Sequence, residues 1–191
     1  ELSVCYFVCS GSEANDLALQ IARIYIKKQG CLVSENAYHG NTTTVFQMSP
    51  EDFAPETRQE WVHTLPSPIK YQQTDQAEGN YLKDLSFAMD NLDDIGVGTA
   101  AVIFDSIFSS DGIFLPPSGY LKTIYGAVRA SGGLTIADEV QSGFGRTGSY
   151  MWGFSHDGVV PDIVTLGKPM GNGYPIAAVV TTDEIAQTYN K

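Results

Sequence analysis

The sequence predicts an α/β fold, a mostly parallel sheet flanked by helices, and three observations predict it. Strand-sized β-branched runs alternate with stretches of helical periodicity along the 191 residues. Those runs are apolar throughout instead of alternating with polar residues, as strands covered on both faces are. Hydrophobic residues make up 43% of the chain and charged ones only 17%, which supplies a core and excludes a disordered polyelectrolyte.

The first run, Val4–Cys9, is rich in β-branched and aromatic residues. It ends at Ser10-Gly11-Ser12-Glu13, where Ser10 and Glu13 have capping-box spacing. A helix is expected on Ala14, Leu17, Ala18, Ile21, Ala22, Ile24 and Tyr25, with Lys27 and Lys28 in its last turn and Gly30 to close it. Cys31–Ser34 reads as a short strand. From Glu35 to Asn80 the sequence is rich in Pro, Asn, Thr and Gln with little periodicity. So long an irregular stretch is expected to be functional or to hold short helices. A helix on Tyr81, Leu85, Ala88, Met89 and Leu92 leads to a strand at Ala100–Phe104. Another helix is expected over Ser118–Ser131, stopped by Gly132-Gly133. Strands are expected at Leu134–Ala137, Ile163–Leu166 and Ile176–Thr181, and a final helix over Asp183–Lys191.

Eleven basic against twenty-two acidic side chains give a formal net charge of −11. That balance argues against a nucleic-acid or anionic-membrane surface, since both need clustered Lys and Arg. The longest apolar runs, Val4–Cys9 and Ile176–Val180, fall far short of a membrane span. Cys5, Cys9 and Cys31 cannot all pair and form no Cys-x-x-Cys, so they read as reduced core thiols of an intracellular protein. No signal-type or transit-type leader opens the chain, which gives a cytoplasmic expectation, with the mitochondrial matrix as the alternative in a eukaryote. Residue 1 opens almost directly into a strand and residue 191 falls inside a helix. Residues 1–191 are therefore expected to be an internal piece of a longer protein.

In such sheets ligands bind beyond the carboxyl ends of the strands. The residues there are Ser10-Gly11-Ser12, Asp105-Ser106, Asp138-Glu139 and Gly167-Lys168. A strand, a Gly-containing turn and a helix start offer free N–H groups and a positive dipole end to a phosphate, and the same pattern also serves an ordinary capped helix. It is not a P-loop, because no Gly-Lys-Ser/Thr follows. Asp138 is open to three readings: a metal ligand, a cap, or the partner of a protonated heterocycle. His39, His63 and His156 show no ligand spacing with it or with the cysteines, so no metal site is expected. Lys168 comes straight off an apolar strand, where desolvation would favour the neutral amine of Schiff-base chemistry, although most lysines sit on solvated faces. Tyr38-His39-Gly40 offers an aromatic that either stacks on a flat cofactor or packs a loop.

Two glycine patterns mislead. Gly143-x-Gly145-x-x-Gly148 follows a strand, yet Ser149–Pro161 has no helical periodicity to present a helix N-terminus to a pyrophosphate. Gly96-x-Gly98-x-x-Ala101 precedes its strand. Neither supports a nicotinamide or flavin enzyme.

A phosphate cradle, a stacking aromatic, an acid for a ring nitrogen and a Schiff-base lysine are together what pyridoxal 5'-phosphate needs. Here the sequence resembles the class III pyridoxal-phosphate aminotransferases, of the type I (aspartate-aminotransferase) fold. The resemblance rests on Ser10-Gly-Ser-Glu-Ala-Asn15, Tyr38-His-Gly40, Ala137-Asp-Glu-Val-Gln-Ser-Gly-Phe-Gly-Arg146, and Pro161-Asp-Ile-Val-Thr-Leu-Gly-Lys168 with Gly171-Asn-Gly-Tyr-Pro175. They run in family order over nearly the whole chain, which the resemblance makes the large, cofactor-binding domain without its N-terminal segment and C-terminal small domain.

The resemblance implies a role for each matched residue. Lys168 is the Schiff-base lysine, which also carries the proton between the substrate α-carbon and the cofactor. Asp138 partners the pyridine nitrogen and keeps it protonated. Gly11 and Ser12 bind the phosphate, Tyr38 stacks on one ring face, Val140 packs on the other, and Gln141 lies near the phenolic oxygen. The sequence departs from the family at Asp105-Ser106, where Glu-Pro is usual. The family's substrate-carboxylate Arg, and the Thr a neighbouring subunit lends to the phosphate in a homodimer, both follow the lysine and would lie beyond residue 191.

Glu60-Trp-Val-His63, Pro116-Pro-x-Gly-Tyr120 and Lys168-Pro-x-Gly-Asn-Gly resemble the branch holding alanine–glyoxylate aminotransferase type 2 and the phospho-lyases. The implied activity is transfer of an amino group between an amine or amino acid and a 2-oxo acid. The alternative is β-elimination of phosphate from a phosphorylated amine, and a third reading is a cofactor-binding piece without turnover.

Overall fold

The computed structural model describes residues 1–52, 58–72 and 77–191. Seven strands, β1 (Leu2–Val8), β2 (Gly30–Ser34), β3 (Val62–Leu65), β4 (Thr99–Asp105), β5 (Leu134–Asp138), β6 (Ile163–Leu166) and β7 (Ala177–Thr182), form a sheet in the order β1-β7-β6-β5-β4-β2-β3. The run from β6 to β3 is parallel. Strands β1 and β7 add an antiparallel edge. Helices α1 (Gly11–Ile26), α2 (Thr43–Gln47) and α5 (Asp183–Tyr189) share a core on one face, and α3 (Ala77–Asp94) and α4 (Tyr120–Ala130) cover the other.

Strand alternation divides the core between these layers. Cys31 and Val33 of β2 and Ala101 and Ile103 of β4 face α1, whereas Leu32, Val102 and Phe104 face α3 and α4. All are buried, so the strands read as unbroken apolar runs even though their side chains alternate. Strand β1 differs: its burial alternates along its length, as an edge strand with one solvated face requires.

The structure corrects three expectations. Lys27, in the left-handed region at φ 61°, ends α1 by donating its N–H to Arg23 O, so Gly30 is not the cap. Gly30 instead opens β2 where a Cβ would lie 2.3 Å from Gly98 O; it is there for close backbone approach. The irregular stretch holds a strand as well as short helices. Strand β3 has only Val62 and Leu65 as apolar members, too few for a periodicity to register. Residues 53–57 and 73–76 of that stretch lie outside the described residues. Finally, only Cys31 is a core thiol, with burial pushing its pKa up to about 12, while Cys5 and Cys9 are exposed. No helix among the described residues is long and apolar enough to cross a membrane.

Candidate active site

Five strands deliver polar residues from their following turns into one cavity of about 480 Å³. Gly11, Ser12, Tyr38, Asp138, Val140, Gln141 and Lys168 all line it. Sequence positions from both ends of the chain thus meet beyond the carboxyl ends of the strands, where this architecture places ligands.

One end of the cavity is built by α1. Ser10 Oγ accepts from Glu13 N–H at 3.1 Å, and the Glu13 carboxylate reaches back to accept from Cys9 N–H at 2.7 Å. This is a capping box displaced by one residue, and it anchors the turn that carries Gly11 and Ser12. These occupy the first two helical positions, whose N–H groups have no intrahelical acceptor. Ser12 Oγ accepts from Asn41 N–H at 3.1 Å and donates to Asn41 Oδ1 at 3.2 Å. Backbone approach is tight here. A Cβ on Gly40, at φ +135°, would lie 2.3 Å from Ser12 Oγ, and one on Gly11 would lie 2.9 Å from a Val140 methyl.

At the opposite end sits Asp138, the last residue of β5 and almost wholly buried. Its Oδ2 accepts from Asn15 Nδ2 at 2.8 Å and lies 2.8 Å from His39 Nδ1. Its Oδ1 accepts from Val140 N–H at 3.1 Å. His39 Nε2, on the other side of the ring, is buried without a partner. Gln141 Oε1 is likewise buried and unpaired.

Lys168 corrects an expectation. It is exposed, at φ 40° at the start of the Lys168–Gly171 3-10 turn, so the chain itself does not desolvate it. Beside Asp138, the partly buried Asp105 accepts from the N–H groups of Ile107 and Ser109 and from the Ser109 hydroxyl. Burial pushes its pKa up against those bonds, and the Asp138 charge adds to the rise. Glu139 is fully buried and accepts from Ser106 Oγ, Gly153 N–H and Phe154 N–H. Burial raises its pKa too. Gly143–Gly148 forms turns, followed by a short 3-10 segment at Gly153–Asp157 and not an α-helix.

The aminotransferase class-III family model matches residues 3–191. The chain belongs to that family. Alanine–glyoxylate aminotransferase 2-like of Drosophila melanogaster is 46% identical over 99% of this chain and 40% of its own length. Ethanolamine-phosphate phospho-lyase homolog 1 of Caenorhabditis elegans is 40% identical over 97% of this chain and 44% of its own. A solved phospholyase from Arthrobacter, in complex with phosphoethanolamine, superposes with TM-score 0.93 at 43% identity, covering 99% of this chain and 46% of that one. An S-selective transaminase from Bacillus megaterium gives TM-score 0.84 at 31% identity over 99% and 45%. The chain thus spans less than half the length of these relatives.

Membership of the class-III family and this fold imply pyridoxal 5'-phosphate as cofactor. The cavity fits such a group. Free helix N-terminal amides stand at one end and a held carboxylate at the other, glycines leave room where a Cβ would intrude, and Gln141 and His39 bring unpaired buried polar atoms to its wall. His39, Asn15 and Thr165 stand within the quoted motifs, but sequence reasoning gave them no role at the site. The signal available for Asn15 was a polar residue on the buried stripe of α1, next to Ala14 and before Ala18.

Proposed function

We propose that the full-length protein is a pyridoxal-phosphate enzyme that takes a proton from an amine-bearing substrate and passes the amino group to a 2-oxo acid. The observation that supports this is the convergence of all seven motif residues on one cavity. When bound, the cofactor supplies an aldehyde for an amine and a ring that takes up the electron pair left by the departing proton.

The chain's own residues do the rest. Gly11 and Ser12 N–H groups and the α1 dipole hold the phosphate. Tyr38 and Val140 confine the ring between them, and Gln141 brings its side-chain amide beside it. Asp138 holds a proton at the ring nitrogen, which keeps the ring able to accept charge. Lys168 Nζ would hold the cofactor by condensing with its aldehyde, with loss of water, and would carry the substrate proton. A homodimer completes the site in this reading, with the subunit partner and the protein's remaining length enclosing Lys168. This chain then serves as the large domain.

Elimination of phosphate is a second reading, favoured by the greater likeness to the phospholyase than to the transaminase structure. Transfer is preferred because, among the described residues, the cavity wall carries Glu51, Asp105 and Asp138 against Lys168 alone, and a doubly charged substrate phosphate would meet like charge. The experiment is direct. Borohydride reduction and peptide mapping of the full-length holoenzyme should place the pyridoxyl group on Lys168; a label on Lys122 or Lys70 refutes the assignment. Amine transfer to pyruvate or glyoxylate, without inorganic phosphate released from phosphoethanolamine, then supports transfer; the reverse pattern establishes the lyase.

A further inference from the structure

We propose that Asn15 is a positioning residue that aims the Asp138 carboxylate at the cofactor's ring nitrogen, and that Thr165 fixes the Asn15 amide in the orientation this needs. The proposal rests on the reading of Asp138 given above.

Asn15 is 1% exposed, and a buried amide is stable only when its groups are paired. It is paired by three other segments of the fold. Nδ2 donates to His39 O at 2.7 Å and to Asp138 Oδ2 at 2.8 Å. Oδ1 accepts from Thr165 Oγ1 at 2.6 Å. These partners leave one orientation. Turning the amide over would set its oxygen against two acceptors, His39 O and the Asp138 carboxylate. Thr165 lies within the wholly buried β6 and holds the amide oxygen on its own side.

The position of Asn15 on α1 matters as much as its bonds. Gly11 and Ser12 begin the helix, and Asn15 follows one turn later. One rigid element therefore carries both the anion cradle and the group that steers the distant carboxylate. A single helical turn thus ties Gly11 and Ser12 to the group that holds Asp138. His39 Nδ1 braces the same Oδ2 from the side, and Val140 N–H holds Oδ1, which Thr165 Oγ1 also approaches at 3.5 Å, far more loosely than its 2.6 Å bond to Asn15. The carboxylate so held cannot swing away from the cavity.

An aspartate at position 15 tests this sharply, because it is nearly isosteric. It would set a second carboxylate where Nδ2 stands, 2.8 Å from Asp138, and two carboxylates that close share a proton. The test uses full-length holoenzyme loaded with pyridoxal phosphate carrying 15N in the ring. The 15N chemical shift reads protonation of that nitrogen directly. Wild type should show the protonated position, Asp138→Asn the neutral one, and Asn15→Asp a shift most of the way to neutral with cofactor still bound. Thr165→Val should fall between, and Thr165→Ser should restore the wild-type signal. Single-turnover proton abstraction should slow by about tenfold or more in Asn15→Asp.

If Asp138→Asn moves the signal while Asn15→Asp and Thr165→Val leave it at the wild-type position, the role of Asn15 is overturned and that of Asp138 stands. If Asp138→Asn itself leaves the signal unmoved, the reading of Asp138 falls and the proposal falls with it. Should Asn15→Asp not fold, Thr165→Val decides alone: a wild-type signal there overturns the proposal.

Discussion

Asp105 and Asp138 end neighbouring parallel strands in direct register, and both line the cavity. Their surroundings diverge. Asp138 accepts one bond from Val140 N–H in its own turn, but its other oxygen is held by side chains from α1 and from the turn after β2, both remote in sequence. Asp105 accepts its hydrogen bonds from Ile107 and Ser109, within its own following turn. A carboxylate braced by other elements has a direction fixed by the whole fold and retains capacity for a ligand. One folded back on its own turn is occupied as a cap. Equivalent strand-end positions thus carry different duties, and the partners, not the residue type, distinguish them.

The sharpest test of that contrast is paired substitution in the full-length enzyme. Asp138→Asn should slow proton abstraction on the order of 10³-fold, since a neutral amide cannot hold the ring-nitrogen charge. Asp105→Asn should slow it by less than about tenfold, because the amide oxygen still accepts from the turn. Single-turnover kinetics with a reactive amine donor measure both, and equal losses would erase the distinction.

A second substitution separates the two cofactor ends. Gly40→Ala would force a Cβ against Ser12 at a φ of +135°, so it should cost about 1–3 kcal/mol of stability and loosen cofactor retention. Equilibrium dialysis and chemical denaturation would show it, while the ring-15N signal of the cofactor that remains bound should stay where wild type has it. A smaller effect concerns pH. The folded-state pKa of Asp105 is raised, so the folded chain binds more protons than the unfolded one above the usual carboxylate range. Wild type should therefore lose stability relative to Asp105→Asn as pH rises from about 4 through the elevated value. Urea melts across that window check the sign, and a wild type that gains stability relative to Asp105→Asn as pH rises contradicts it.

Much of this architecture was legible from local pattern. Ile163–Leu166 appears as expected because its four residues are apolar or β-branched and fully buried. The motif residues reach one cavity because each follows a strand, and strand ends in a parallel sheet converge. What escaped was set by distance along the chain. Asn15 and Thr165 are 150 positions apart, and His39 and Asp138 are 99 apart, so no spacing rule joins them. Strand β3 escaped for the opposite reason. It is short, and its place comes from pairing with β2, not from its own composition. The exposure of Lys168 was also hidden, since an apolar strand before a residue says nothing about what covers the residue itself.

The cavity's wall begins with Gly11 near one end of the chain and closes with Lys168 near the other. Segments that far apart must be brought together before the wall exists, so the cofactor favours the folded chain over the unfolded one. Binding then adds to unfolding free energy by mass action, about 2.7 kcal/mol when free cofactor is a hundred times its dissociation constant. Vitamin supply thereby becomes a term in protein turnover. A cell short of cofactor holds less of the folded chain, and not only less of the loaded one.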